Sequence, residues 1–282
     1  MINEKVGDKD YLTIFESIDE LVRYLKAAPL NAKVFGSHPS SMKEGSSWNG
    51  TSSLDEAFKF LTDGWEEGYR QLLEQLKFKD LAPKVINRKF VERTDVIGYT
   101  PCVPRAIQGL PDSMFWGQVT PIKSKVIDIF VNVTCSASVE PDEILRRGML
   151  VLNFINSVEK KGYRTNLYVM ESAKCDGETT FHAVKIKKST EPLSLKRIAF
   201  PIANPAMLRR IWFRTLESHT DCESGWAGGY GRVDDNIGKT YVQKHYPHAF
   251  VIPTLNEFHV SKDEDQNKWL EKVFAWNGFR VE

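Results

Sequence analysis

The chain has 282 residues, of which 41% are hydrophobic and 27% charged, with 38 Lys+Arg against 37 Asp+Glu. Such a composition supports one large core, or a core with a smaller accessory unit, and belongs to ordinary globular proteins. A formal net charge of +1 excludes a global field that would draw the molecule onto nucleic acid or a membrane, so any such contact needs a local patch.

The first thirty residues alternate charged and apolar positions and lack the apolar core of a signal peptide, and no run approaches the length of a membrane span. Cys102, Cys135, Cys175 and Cys222 are widely spaced without a C-x-x-C pair, so a reduced, cytoplasmic protein is expected. The first helix is predicted over "YLTIFESIDELVRYLKAA", where Leu12, Phe15, Ile18, Leu21, Val22 and Leu25 recur at helical spacing. "GSHPSSMKEGSSWNGT" reads as a loop. Ser53 and Glu56 form a capping box ahead of "LDEAFKFL", and "WEEGYRQLLEQLKF" follows the break at Asp63-Gly64, giving a helical hairpin. Residues 98–117, rich in proline and glycine, are expected to cross a surface as irregular chain.

From Lys125 strands and helices alternate. "VIDIFVNV" sets Ile127, Ile129, Val131 and Val133 on one face of a strand. A helix starting at Pro141 runs to the stop at Gly162 and is apolar around most of its circumference, so it is covered on more than one side. "TNLYVME" completes a strand-helix-strand unit with a parallel pair, and "TTFHAVKIKK" is expected to return antiparallel at an edge. Asn204-Pro205 caps a helix over "AMLRRIWFRTLE", "HAFVIPTL" is a late strand, and Ser261 with Glu264 caps the last helix. The pattern predicts a three-layer α/β domain over 121–282, with a mainly parallel sheet and an antiparallel edge strand. A helical and irregular amino-terminal region, 1–120, precedes it.

Ligands of open parallel sheets collect at the carboxyl ends of the strands. "VNVTCSAS", residues 131–138, stands at such an end and presents Asn132, Thr134, Ser136 and Ser138 on alternate positions. The element order resembles the von Willebrand factor A fold, and "VEKKGYRTNLYVMES" resembles the corresponding passage in the cobaltochelatase subunits that carry it. That resemblance implies a D-x-S-x-S site for a divalent cation such as magnesium, with Asn132, Thr134 and Ser136 at the three positions. An amide in place of the carboxylate removes the charge that hard cations favour, and Asp234 or Asp235 is the candidate to return it. The competing reading is a hydroxyl-rich strand end that satisfies its own loop amides, and it is the favoured one.

His219-x-x-Cys222 and His245-x-x-His248 have tolerable zinc spacing, although Pro247 interrupts the second pair. The glycines of "GWAGGYG" match no phosphate-binding motif and read as backbone turns. For nucleic acid the local candidate is "KFKDLAPKVINRKFVER": Lys77, Lys79, Lys84, Arg88, Lys89 and Arg93 would follow phosphates, with Phe78 and Phe90 interleaved to stack on unpaired bases. Solvated faces with Phe anchors explain this segment equally well. Lys185/Lys187/Lys188, Arg146/Arg147 and Arg209/Arg210 with Arg214 form further basic clusters. Nucleophile elbow, P-loop and H-E-x-x-H motifs are absent.

"SWNGTSSLDEAFKFLTDGWEEG", "LRRG" followed by "VEKKGYR", and "NPAMLRRIWFRTLES" together resemble a family of bacteriophage-encoded proteins. That resemblance implies a phage origin and the cytoplasm of an infected bacterial host, and brings no catalytic residues. The expected function is a non-catalytic phage adaptor that meets a protein partner and acts with nucleic acid or a nucleic-acid enzyme. Two alternatives stay open: a single-stranded DNA-binding factor for phage transcription or replication, and a metal-dependent enzyme or switch at the Asn132 loop.

Overall fold

The computed structural model describes residues 2–5, 10–45, 47–75, 90–119, 126–219, 226, 229–256 and 266–277. Its centre is a sheet built from β1 (Ile2–Lys5), β2 (Asp10–Phe15), β6 (Val126–Asn132), β7 (Arg164–Cys175), β8 (Glu178–Lys187), β9 (Arg232–Val233) and β10 (Phe250–Ile252). The order is β1-β2-β8-β7-β6-β10, with β9 paired to the far end of β7. β2 and β8, β6 and β7, and β6 and β10 run parallel, whereas β1/β2, β7/β8 and β7/β9 are antiparallel. The fold is thus mixed α/β with a mainly parallel sheet and amino-terminal helices. β8 is antiparallel as expected but lies inside the sheet, because β2 pairs along it; β1 holds that edge.

The helices are α1 (Ile18–Ala27), α2 (Ala32–Phe35), α3 (Leu54–Asp63), α4 (Glu66–Gln75), α5 (Val103–Ile107), α6 (Pro141–Lys160), α7 (Leu195–Ala203), α8 (Phe213–Glu217), α9 (Asp235–His245) and α10 (Gln266–Trp276). Alternation along the strands divides the core in two. Ile129, Val131, Leu167, Val169 and Val184 face a layer containing α1, α3, α6 and α7, while Phe130, Tyr168, Met170, Phe181 and Ala183 face Val242 of α9. Phe130 and Tyr168, paired in register, stack at 4.2 Å. Gly148 lets α6 and α7 cross closely: a β-carbon there would come within 2.3 Å of the Ala203 side chain.

Three local readings change. Leu12 and Phe15 belong to β2, not to the first helix, which starts at Ile18 with Ser17 accepting from the Glu20 amide. "YLTIF" is apolar on both faces because it is an interior strand, and a short continuous apolar run carries no period to separate helix from strand. Residues 98–117 are not irregular: β3 (Phe90–Asp95), β5 (Met114–Val119) and β4 (Thr100–Pro101) form a separate antiparallel sheet, with α5 between β4 and β5. The helix after Asn204 is a π-helix over Met207–Trp212 that continues into α8. The Ser261/Glu264 cap lies outside the described residues.

The amino-terminal loop and the π-helix, distant in sequence, are bound to each other. Arg209 donates to Trp48 O and Val139 O, both at 2.6 Å. Arg210, wholly buried, donates to Ser41 O, Lys43 O and Thr51 O at 2.9, 3.0 and 2.7 Å. Arg214 reaches Ala28 O, and Glu217 accepts from Ser41 and from the Tyr230 hydroxyl. Gly50, at φ +78°, lies against Asn204, where a β-carbon would stand 2.5 Å from its side-chain oxygen. The segments "SWNGTSS" and "NPAMLRRIWFRTLES" are therefore two halves of one packed unit. Among the described residues no helix is long and apolar enough to cross a membrane.

Candidate functional site at the carboxyl edge of the sheet

β6 delivers Asn132 to its carboxyl end with the side chain fully buried. The amide is used at both ends. Its Nδ2 donates to Ser172 Oγ at 2.9 Å and to Asp235 Oδ1 at 3.3 Å, and its Oδ1 accepts from the Thr134 amide and hydroxyl at 3.1 and 2.7 Å. Thr134 Oγ1 in turn accepts from the Ser172 amide at 2.9 Å. Asp235, first residue of α9, accepts from Thr254 N and Thr254 Oγ1 at 2.9 and 2.6 Å. Arg147 closes the network from α6, donating to Asn132 O and Pro253 O at 2.8 and 2.7 Å; burial pulls its guanidinium down to about 10, partly offset by Asp235.

The structure thus brings Asn132, Thr134 and Asp235 together. Ser136 faces away from that network, its amide donating to Asn256 Oδ1 and its hydroxyl lying 3.1 Å from Ser138 Oγ. This donor set offers a hard cation one carboxylate, and that carboxylate already accepts three hydrogen bonds. The network closes on itself without a cation. Among the described residues no three His, Cys, Asp or Glu side chains group as metal ligands.

Asn132→Asp is expected to lower stability by about 2–4 kcal/mol at neutral pH, because it buries a second carboxylate beside Asp235. The like charge raises the new group's pKa, so the protonated form fits best. Stability is retained below the unfolded value near 4 and is lost as pH rises through the raised one. Urea unfolding at pH 5 and pH 8 reads the difference, and a variant as stable as wild type at pH 8 contradicts it.

Beside the network a cleft of about 460 Å³ opens between the β6 loop, the end of β7, the π-helix and the segment 229–233. Trp48, Cys135, Ser136, Glu171, Arg209, Phe213, Tyr230, Arg232 and Asn256 line it. Trp48 is anchored by its indole N–H to Ala137 O at 3.0 Å, with the Arg209 guanidinium 4.1 Å over its ring. Phe213 and Tyr230 stack at 3.9 Å. Burial raises the Cys135 thiol.

At the inner wall lies a cluster that sequence reasoning missed. Glu171 of β7 and His182 of β8 face each other in register, both fully buried, with Glu171 Oε1 bonded to His182 Nδ1. His182 Nε2 lies 2.7 Å from His219 Nε2. Burial pushes the Glu171 carboxyl up to about 8 and the His182 imidazole down to about 3, so near neutral pH the pair carries its proton without separated charge. The signal for this pair was "CDGE": an Asp-Gly two-residue turn, with Asp176 and Gly177 at φ 47° and 83°, sets Cys175 opposite Glu178 and hence Glu171 opposite His182.

The remaining candidates fall elsewhere. His219 is directed to His182 rather than toward a zinc set, and Cys222 lies outside the described residues. So do Lys77, Lys79, Lys84, Arg88 and Lys89, while Phe90 and Arg93 stand on β3. Of the other basic clusters, Lys187 is buried against Glu159 and Lys185 pairs with Glu16. Gly231, at φ +80°, sits against the Trp226 ring, in keeping with a turn-forming role for "GWAGGYG".

No curated protein and no solved structure matches the chain. The interlocking of the amino-terminal loop, the sheet and the late helices runs nearly the whole length, and so does the match to one family model, over residues 2–278. The chain belongs to the family described as "Domain of unknown function (DUF7192)".

Proposed function

We propose that the protein is a non-catalytic intracellular adaptor that binds a protein partner through the small sheet of residues 90–119. The observation that carries this is its exposed apolar surface. Val96, Ile97, Tyr99, Val103 and Ile107 are 61–80% exposed and lie within twelve residues of one another. A patch of this kind on an otherwise well-buried chain marks an interaction surface. The strands of this sheet pair only with one another among the described residues, and the Arg105–Asp112 ion pair ties α5 to the approach of β5.

The finer reading is a phage protein with a degenerate von Willebrand A-like domain, acting in an infected bacterial cytoplasm beside nucleic acid or a nucleic-acid enzyme. The run β6, α6, β7, β8 keeps the element order behind that resemblance, and the self-satisfied Asn132 network suits contacts that need no cation. The basic stretch 77–93 leads directly into β3, which keeps single-stranded DNA binding as the second reading.

Affinity purification of the tagged chain from infected cells, with and without nuclease, tests both. A partner that survives nuclease and is lost with the double variant Ile97→Asp/Ile107→Asp supports the adaptor. A partner lost to nuclease but retained by that variant favours the DNA-binding reading, and equal recovery in all arms refutes the role given to the patch.

A further inference from the structure

The cleft beside Asn132 is lined by a buried guanidinium that has no ion-pair partner among the described residues. Arg209 is 1% exposed, and its guanidinium meets the Trp48 and Val139 carbonyls, the Cys135 side chain and the Trp48 ring; Glu140 acts on it from beyond ion-pair distance, and it forms no ion pair among the described residues. Buried charges are ordinarily paired, so one that lines a cavity without an ion pair marks a place for an anion. Arg232, exposed on β9 at the mouth of the same cleft, also forms no ion pair among the described residues. Guanidinium groups suit phosphate oxygens because their donors match in pairs.

The rest of the lining is aromatic and amide-like. Trp48 and Phe213 line the cleft with ring centroids 6.4 Å apart, one face of each already covered, by Arg209 and by Tyr230. Asn256 presents an amide whose oxygen is held by the Ser136 N–H, which leaves its N–H₂ end directed by that bond and without a partner among the described residues. Glu171 sits at the wall with one oxygen committed to His182. A volume of about 460 Å³ lies within the range of small-molecule sites.

We infer that this cleft binds a nucleoside phosphate, free or at the end of a nucleic-acid strand, with Arg209 and Arg232 facing the phosphate and Trp48 and Phe213 facing the base. Rings accept any base by its face, while Asn256 can meet its polar edge. The inference goes beyond the adaptor reading, and the two can fail separately because the cleft and the small sheet share no lining residue.

The test titrates the full chain with adenosine and cytidine, their 5′-monophosphates, and a short single-stranded oligonucleotide with and without a 5′-phosphate. Intrinsic tryptophan fluorescence and calorimetry follow binding. Saturable binding is expected for the phosphorylated probes, about tenfold tighter than for their unphosphorylated counterparts, and Arg232→Ala should weaken it about tenfold. Competition by free monophosphate identifies a small-molecule ligand, and binding only of the phosphorylated strand identifies a strand end; both outcomes support the site. Lys244→Ala, on an exposed stretch of α9 outside the cleft, and the Ile97→Asp/Ile107→Asp variant should bind normally. Absence of saturable binding by every phosphorylated probe at millimolar concentration overturns the inference. Equal weakening by Arg232→Ala and Lys244→Ala overturns it too.

Discussion

Arg210→Ala is expected to destabilise the protein by about 3–5 kcal/mol, because it leaves several buried acceptors without their charged donor. The guanidinium supplies hydrogen bonds to Ser41 O, Lys43 O and Thr51 O and has no solvent exposure. Alanine leaves three carbonyls of one loop without donors, and an unsatisfied buried group costs about 1–3 kcal/mol. The sum is held below its maximum because the loop can turn some carbonyls toward water. Arg210→Lys should recover less than half of the loss, since one ammonium cannot reach three acceptors spread over residues 41–51 with the geometry of a planar fork. Urea unfolding at constant slope reads the free energy, and thermal unfolding should move by roughly 10 °C. A loss under about 1 kcal/mol would mean that the loop does not depend on the clamp.

Glu171→Gln should make the protein progressively more stable, relative to wild type, as pH rises from about 4.5 toward 8. The folded chain holds the Glu171 proton up to about 8 because burial penalises the carboxylate, whereas the unfolded chain releases it near 4.5. A raised folded pKa contributes stability that is present below the unfolded value and lost as pH rises through the folded one. The loss is about 1.4 kcal/mol per pH unit for one proton, and glutamine has none to lose. Glutamine keeps the shape and can still donate to His182 Nδ1. On the acid side, His182 acts in the opposite sense: its imidazole resists protonation down to about 3, so stability falls as pH drops from 6.5 toward that value in both proteins. Chemical denaturation at pH 5, 6.5 and 8 separates the two. If glutamine costs stability at pH 8 as much as at pH 5, Glu171 and His182 form a charged pair and the assignment of a shared, neutral proton is wrong.

Stability and ligand chemistry meet at Glu171. Its neighbours in the sheet, His182 and Thr180, set its protonation, and it lies in the wall of the cleft. A nucleotide bound there would perturb the Glu171 proton, whereas a partner on the small sheet would leave it unchanged.

Local chemistry was legible wherever the residues of an element speak for themselves. Ser53 caps α3 as read, accepting from the Glu56 amide, although Glu56 reaches back to Ser52 rather than to Ser53. Pro141 opens α6 at its first turn, and the long apolar circumference of that helix is covered from several sides. The alternation through Ile127, Ile129, Val131 and Val133 gave β6 and its core face. These features depend on neighbours within a few residues, where period, caps and turn chemistry act.

What only the tertiary structure decided is pairing across distance. β2 lies beside β8 because burying its two apolar faces requires an interior position, and no local pattern in "YLTIF" says which strand it joins. The arginines of "NPAMLRRIWFRTLES" looked like a basic surface cluster; the fold turns Arg209, Arg210 and Arg214 inward, because the loop carbonyls they serve come from residues more than 150 positions earlier, apart from Val139. Asn132 could be read as a lost metal ligand, but only the meeting of β6, β7 and α9 shows the amide taken up by Ser172, Thr134 and Asp235. Sequence determined most elements after residue 125 and their faces, since those follow from local periodicity, but misplaced β2 and missed the small sheet. Which buried polar groups would satisfy one another was settled by strand pairing and helix docking, whose energies come from contacts that no short window of sequence contains.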